Sequence, residues 1–151
     1  MPVHKSTLAL LRVALLLILL VGMVGTGAEL LLLEHTEGFW QWSPVALLGL
    51  GIAVSVWTAV RPGRLSLRTL QVLMVGFVAS GLLGLVLHYD GNVQFELELH
   101  ASARGWELFR EALGGATPTL APGTMIQLGL VGLVYTYRHP ALGGTGSTLL
   151  E

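Results

Sequence analysis

Histidines and carboxylates are the side chains of this chain best suited to hold a metal ion or move a proton. There are five of the first and nine of the second. His35, His88 and His100 stand in the same polar segments as Glu34, Asp90, Glu96 and Glu98. Imidazole and carboxylate together suit zinc, manganese or iron, and such a site needs three or four ligands in one place. The candidate set for a divalent metal is therefore His35, His88, Asp90 and His100. The spacing is not diagnostic. Glu34 and His35 are adjacent, and His88-Tyr89-Asp90 is a loose pair at an expected helix end. Glu96, Glu98 and His100 would share one face of a strand, but about 7 Å apart at each step. A solvated acidic surface is the competing reading of the same residues. A b-type haem held by two histidines would need them face to face inside a bundle. His35 and His88 fall at or beyond the expected helix ends, which argues against it.

Other chemistry has less support. The chain has no cysteine, so disulfides, thiolate metal sites, iron–sulfur clusters and thiol catalysis are excluded. It has no Gly-rich phosphate loop, no His-Glu-x-x-His and no Gly-x-Ser-x-Gly. No catalytic residue is assigned. Apart from Glu29, near the far end of the first run, the apolar runs carry no ionisable group at mid-depth. Glu29 reads either as a carboxylate reaching out to the interface or as an intramembrane functional carboxylate. Gln71 and Gln127 are the notable polar side chains within the runs, and Gln127 suits a hydrogen bond to a neighbouring helix better than a substrate contact.

The elements that must position these groups follow from composition. Of 151 residues 53% are hydrophobic and 11% charged, against about 25% charged in a usual soluble domain. Mean hydropathy is +0.72. This is one domain (1–151) suited to a lipid bilayer, an all-α integral membrane protein built as a four-transmembrane-helix bundle. The expected spans are 8–33, 44–60, 67–87 and 118–137. The first could pass for a secretory signal peptide, but the apolar run resumes after Glu29 and predicts a retained helix. Ser43-Pro44 reads as the start of the second span, and Trp40 and Trp42 before it as interface anchors. Gly76, Ser80 and Gly84 recur every fourth residue and form a small-residue stripe for helix packing or partner contact. Gly22 with Thr26, and Gly129 with Gly132, make shorter ones.

Between the third and fourth spans lies the longest polar segment, 88–117. Apolar residues alternate from Val93 to Leu99, which predicts a short strand. Trp106, Phe109 and Leu113 share one helical face from Ser102 to Leu113, which predicts an amphipathic helix lying in the interface. After Arg138 a Gly/Ser/Thr-rich stretch, 139–151, reads as a flexible cytoplasmic tail.

Charge orients the bundle. Lys5, Arg12, Arg61, Arg64, Arg68 and Arg138, six of the eight basic residues, fall on one side with both termini, and eight of the nine acids fall on the other. The positive-inside rule predicts a multi-pass protein of the cell (inner) membrane. Its termini are cytoplasmic, and 34–43 and 88–117 are periplasmic or extracellular. A net charge of −1 gives no basic field for nucleic acid. Three functions remain open: an accessory or structural subunit of a larger membrane complex, respiratory or photosynthetic among the options; a metal-handling protein with an outer-face site; and a self-associating channel or transporter. The first is favoured, because the spans carry no mid-membrane charge and offer small-residue faces to other subunits.

Overall fold

Long runs of Leu, Val and Ala leave the backbone no polar partner but itself, and each such run here is an α-helix. The computed structural model describes residues 2–143, and among them every regular element is helical. α1 is Pro2–Leu32, α2 Phe39–Val60, α3 Arg64–Leu99, α4 Gly105–Leu113 and α5 Gly123–Thr136, with a 3₁₀ turn at Pro140–Leu142. Three stretches are long and apolar enough to cross a membrane: Thr7–Leu32, Phe39–Val60 and Arg64–Leu99. α5 is apolar but shorter, with 14 residues. At about 1.5 Å per residue it is about 21 Å long.

The helix boundaries differ from expectation in instructive ways. α2 begins five residues before Pro44, so Ser43-Pro44 lies inside it and Gly38 is the N-cap. Pro44 has no N–H to give the Trp40 carbonyl one turn back, and the Ser43 hydroxyl donates to that oxygen instead at 2.9 Å. At the start of α3, Ser66 Oγ accepts from the Gly63 N–H and donates toward the carbonyls of Arg61 and Gly63, each at 3.1 Å.

The strand expected at Val93–Leu99 is not formed; these residues are the last turns of α3, which runs on to Leu99. A helix already nucleated by its apolar half propagates at little cost, and Leu, Glu and Gln all favour helix. A lone strand would have no neighbour to satisfy its backbone. α3 has 36 residues, about 54 Å against a hydrocarbon layer of about 30 Å, so it is longer than one crossing needs. The amphipathic helix is present as α4, with Trp106, Phe109 and Leu113 all exposed. Of the expected tail, Pro140–Leu142 forms the 3₁₀ turn packed against α3, and 144–151 lie outside the described residues, as does the Lys5 side chain.

α3 is the central element: α2, α4, α5 and the 3₁₀ turn all pack on it, and α1 packs on α2 and α5. Leu19, Met23, Leu48, Leu70, Met74 and Phe77 form the middle of the buried core. Glycines set the closest approach. A Cβ at Gly129 of α5 would stand 2.7 Å from the Met74 carbonyl oxygen of α3, and one at Gly81 would stand 2.9 Å from the Pro122 carbonyl oxygen. The backbones of α3 and α5 therefore touch where small residues permit it.

Candidate functional site

Ser80, Gly84 and His88 sit at successive i, i+4 positions of α3 and so line up on one face. Two small side chains below a large one leave a hollow, and a cavity of about 490 Å³ opens there. Its other walls include Thr26 and Leu30 of α1, Trp40, Gln41, Ser43 and Pro44 at the start of α2, and Thr117, Pro118, Ala121, Pro122, Thr124 and Met125 on the way into and at the start of α5. Most of the lining is apolar, with His35 and His88 also in the wall. That size and that character are those of a small-molecule or cofactor site.

His35 reaches the cavity through a particular turn. The His35 N–H donates to the Leu30 carbonyl at 2.9 Å and the Glu34 N–H to the Leu31 carbonyl at 3.2 Å. This is a Schellman closure of α1. Its left-handed position, normally a glycine, is filled by Glu34 at φ 51°, at a cost of about 1–2 kcal/mol for a residue bearing a Cβ. The chain thereby folds back and sets the His35 ring 6.2 Å, centre to centre, from the His88 ring, with the planes tilted by 57°.

The two rings are not equivalent. His88 Nδ1 lies 3.1 Å from the Pro118 carbonyl oxygen. A carbonyl can only accept, so Nδ1 carries a proton in this contact, and Nε2 is the ring nitrogen left to act as an acceptor or ligand. Burial, and then the charge on His88, holds the His35 imidazole below its ordinary value of 6.5. Its neutral form is therefore favoured near pH 7.

The remaining sequence candidates lie elsewhere. Asp90, two residues after His88, is exposed and does not line the cavity. His100 caps the C-terminus of α3, twelve residues and about 18 Å beyond His88 along the axis. Among the described residues no three His, Asp or Glu side chains are grouped closely enough to hold a metal ion. Glu29 is exposed near the end of α1 and is not in the cavity wall. Of the expected stripe, Ser80 and Gly84 line the cavity, while a Cβ on Gly76 would have Leu47 of α2 at 3.9 Å. Gln71 Nε2 donates to Thr136 Oγ1 at 3.2 Å and its oxygen accepts from Arg68 at 3.2 Å. Gln127 is exposed on α5.

Asn92 is the polar residue that sequence reasoning passed over. Fully buried in α3, its Nδ2 donates toward the carbonyls of Ala112 and Thr117 at 2.9 and 2.7 Å and toward Thr119 Oγ1 at 3.0 Å. Its Oδ1 accepts from the Thr117 N–H and hydroxyl at 3.0 and 2.8 Å. One amide thus ties α4 and the lead into α5, including the Pro118 carbonyl that orients His88, to α3. The sequence offered no signal for it, because the third helix was expected to end at Leu87; only with α3 continued to Leu99 does it become an asparagine inside a helix, where it is a poor former without a partner.

No family model, curated protein or solved structure matches the chain.

Proposed function

We propose that the chain is a four-span protein of the inner membrane serving as an accessory subunit of a larger membrane assembly. The fourth crossing is Pro118–Tyr137, with α5 as its helical part. The contacts at the two ends support an even number of crossings. Arg12 donates to the Arg138 carbonyl at 3.1 Å and Gln71 meets Thr136, which gathers the start of α1, the start of α3 and the end of α5. His35, His88 and Pro118 gather at the opposite end. Arg12, Arg61, Arg64, Arg68 and Arg138 belong to the first end, which makes it the cytoplasmic one. Exposed Phe39, Trp40 and Trp42, and exposed Trp106 and Phe109 of α4, anchor the opposite surface.

The observation that carries the subunit reading is Gln127. It lies near the middle of the fourth crossing with its side chain exposed, between exposed Leu120, Leu130 and Val134. An amide facing hydrocarbon without a partner costs several kcal/mol, whereas an amide meeting a polar group on another helix is a contact worth about 0.6–2 kcal/mol. Native mass spectrometry of protein gently extracted from its own membrane tests this. The expected result is a particle containing other chains, lost on Gln127→Leu with the helical content unchanged. A bare monomer or simple homo-oligomer rejects the reading.

A further inference from the structure

We propose that His35 and His88 together ligate one metal centre, a cuprous ion or the iron of a haem, in the apolar cavity. This stands independently of the subunit reading. The first argument is distance. With an imidazole nitrogen about 2.0–2.1 Å from a metal, a ring centre lies about 3.2 Å from it, so two rings on one metal have centres at most about 6.4 Å apart. A tetrahedral angle would bring the centres to about 5.2 Å on the same reckoning. The observed 6.2 Å is within reach of a shared ion and close to the opposed limit. A pair spaced near that limit suits two-coordinate copper or the two axial positions of haem iron better than a tetrahedral four-ligand zinc site.

The second argument is the support behind His88. A ligating histidine characteristically gives its other N–H to a carbonyl or carboxylate, which fixes ring orientation and frees the opposite nitrogen. His88 has that arrangement through Nδ1 and the Pro118 carbonyl. The carbonyl is itself held in place, because the adjoining Thr117 is clamped by Asn92. The third argument is the strained Glu34 turn. Left-handed backbone at a residue with a side chain is retained where it positions something, and what this turn positions is His35. The mostly apolar walls then supply the surface on which a porphyrin would rest.

Copper and haem share the same two ligands and are separated by spectrum. Metal-free protein in detergent is titrated with Cu(I) under ascorbate, and separately with hemin under dithionite, with Zn(II) as the contrast. One equivalent per chain of either Cu(I) or hemin is expected, the hemin adduct giving the split low-spin bands of a bis-imidazole haem. His35→Gln and His88→Gln should each weaken binding by about tenfold or more, and His100→Gln should not change it. Mapping of diethyl pyrocarbonate modification on the unaltered protein needs no variant and keeps the test valid if one misfolds. Bound metal should protect His35 and His88 while His100 stays reactive. Absence of binding, binding unaffected by both variants, zinc held in preference to both, or protection of other histidines would each overturn the proposal.

Discussion

Asn92 and the His35–His88 pair are two polar insertions in apolar surroundings, and they are finished differently. Asn92 is buried, and both ends of its amide are occupied, with three acceptors around Nδ2 and two donors on Oδ1. The histidines line a cavity, and the hydrogen bond that orients them reaches His88 Nδ1, leaving Nε2 to act as an acceptor or ligand. A saturated group has spent its bonding capacity on the fold. A group aimed into space with capacity left has not, and that is the mark of a site.

If this contrast is right, the largest loss of stability follows removal of the saturated group. Asn92→Ala takes their side-chain partner from the Thr117 N–H and carbonyl and leaves the Ala112 carbonyl only the Thr119 hydroxyl, and a group left unsatisfied costs about 1–3 kcal/mol. Some of these groups regain water, so we expect a loss of about 3 kcal/mol in thermal or denaturant unfolding, with α4 released first in hydrogen exchange. His35→Gln, which removes no hydrogen bond the structure describes, should fall within about 0.5 kcal/mol of the unaltered protein. Equal losses would remove the distinction.

Next in size is the helix crossing that closes the bundle beneath the cavity. Gly129→Ala would put a Cβ 2.7 Å from the Met74 carbonyl oxygen, and overpacking against backbone costs about 1–3 kcal/mol. Gly76→Ala meets nothing closer than 3.9 Å and gains helix propensity, so it should be neutral or slightly stabilising, by up to about 1 kcal/mol. Melting temperatures of the two variants in one detergent decide the matter.

How much of this was legible in the sequence depends on whether local pattern or tertiary contact decides. The long apolar helices and α4 follow from runs and periodicity; three of the four expected spans are helices long enough to cross, and the fourth holds only the shorter α5. Val93–Leu99 misled because period two in apolar residues is a strand pattern when a segment stands alone, and here it is the continuation of α3. That same continuation removed the premise that His88 lies at a helix end. The cavity was not legible. It needs the Glu34 turn, the hollow over Ser80 and Gly84, and the Pro118 carbonyl held through Asn92, and these belong to three separate segments.

Smaller effects test the turn itself. Glu34→Gly relieves the left-handed strain at φ 51° at some entropic cost, so it should stabilise the fold by about 0.5–1 kcal/mol while loosening the placement of His35. Acid should act in the same region. His35 and His139 both have imidazole pKa values lowered in the folded chain, mainly by burial, with His88 and Arg12 respectively adding to the effect. The unfolded chain then binds more protons just below the ordinary value of 6.5, so stability is full above that pH and falls as pH drops toward the folded values. A melting series from pH 7.5 to 5 should show this decline, and His35→Gln should make it shallower.

The central claim is that the end of α1 folds back to set His35 against His88. Because the chain has no cysteine, paired substitutions can be cross-linked without background. His35→Cys with His88→Cys, oxidised in native membranes, should form an intramolecular disulfide or react with the shortest bifunctional thiol reagents. His35→Cys with His100→Cys should do neither. Cross-linking of the second pair at a rate equal to or above the first would contradict the account.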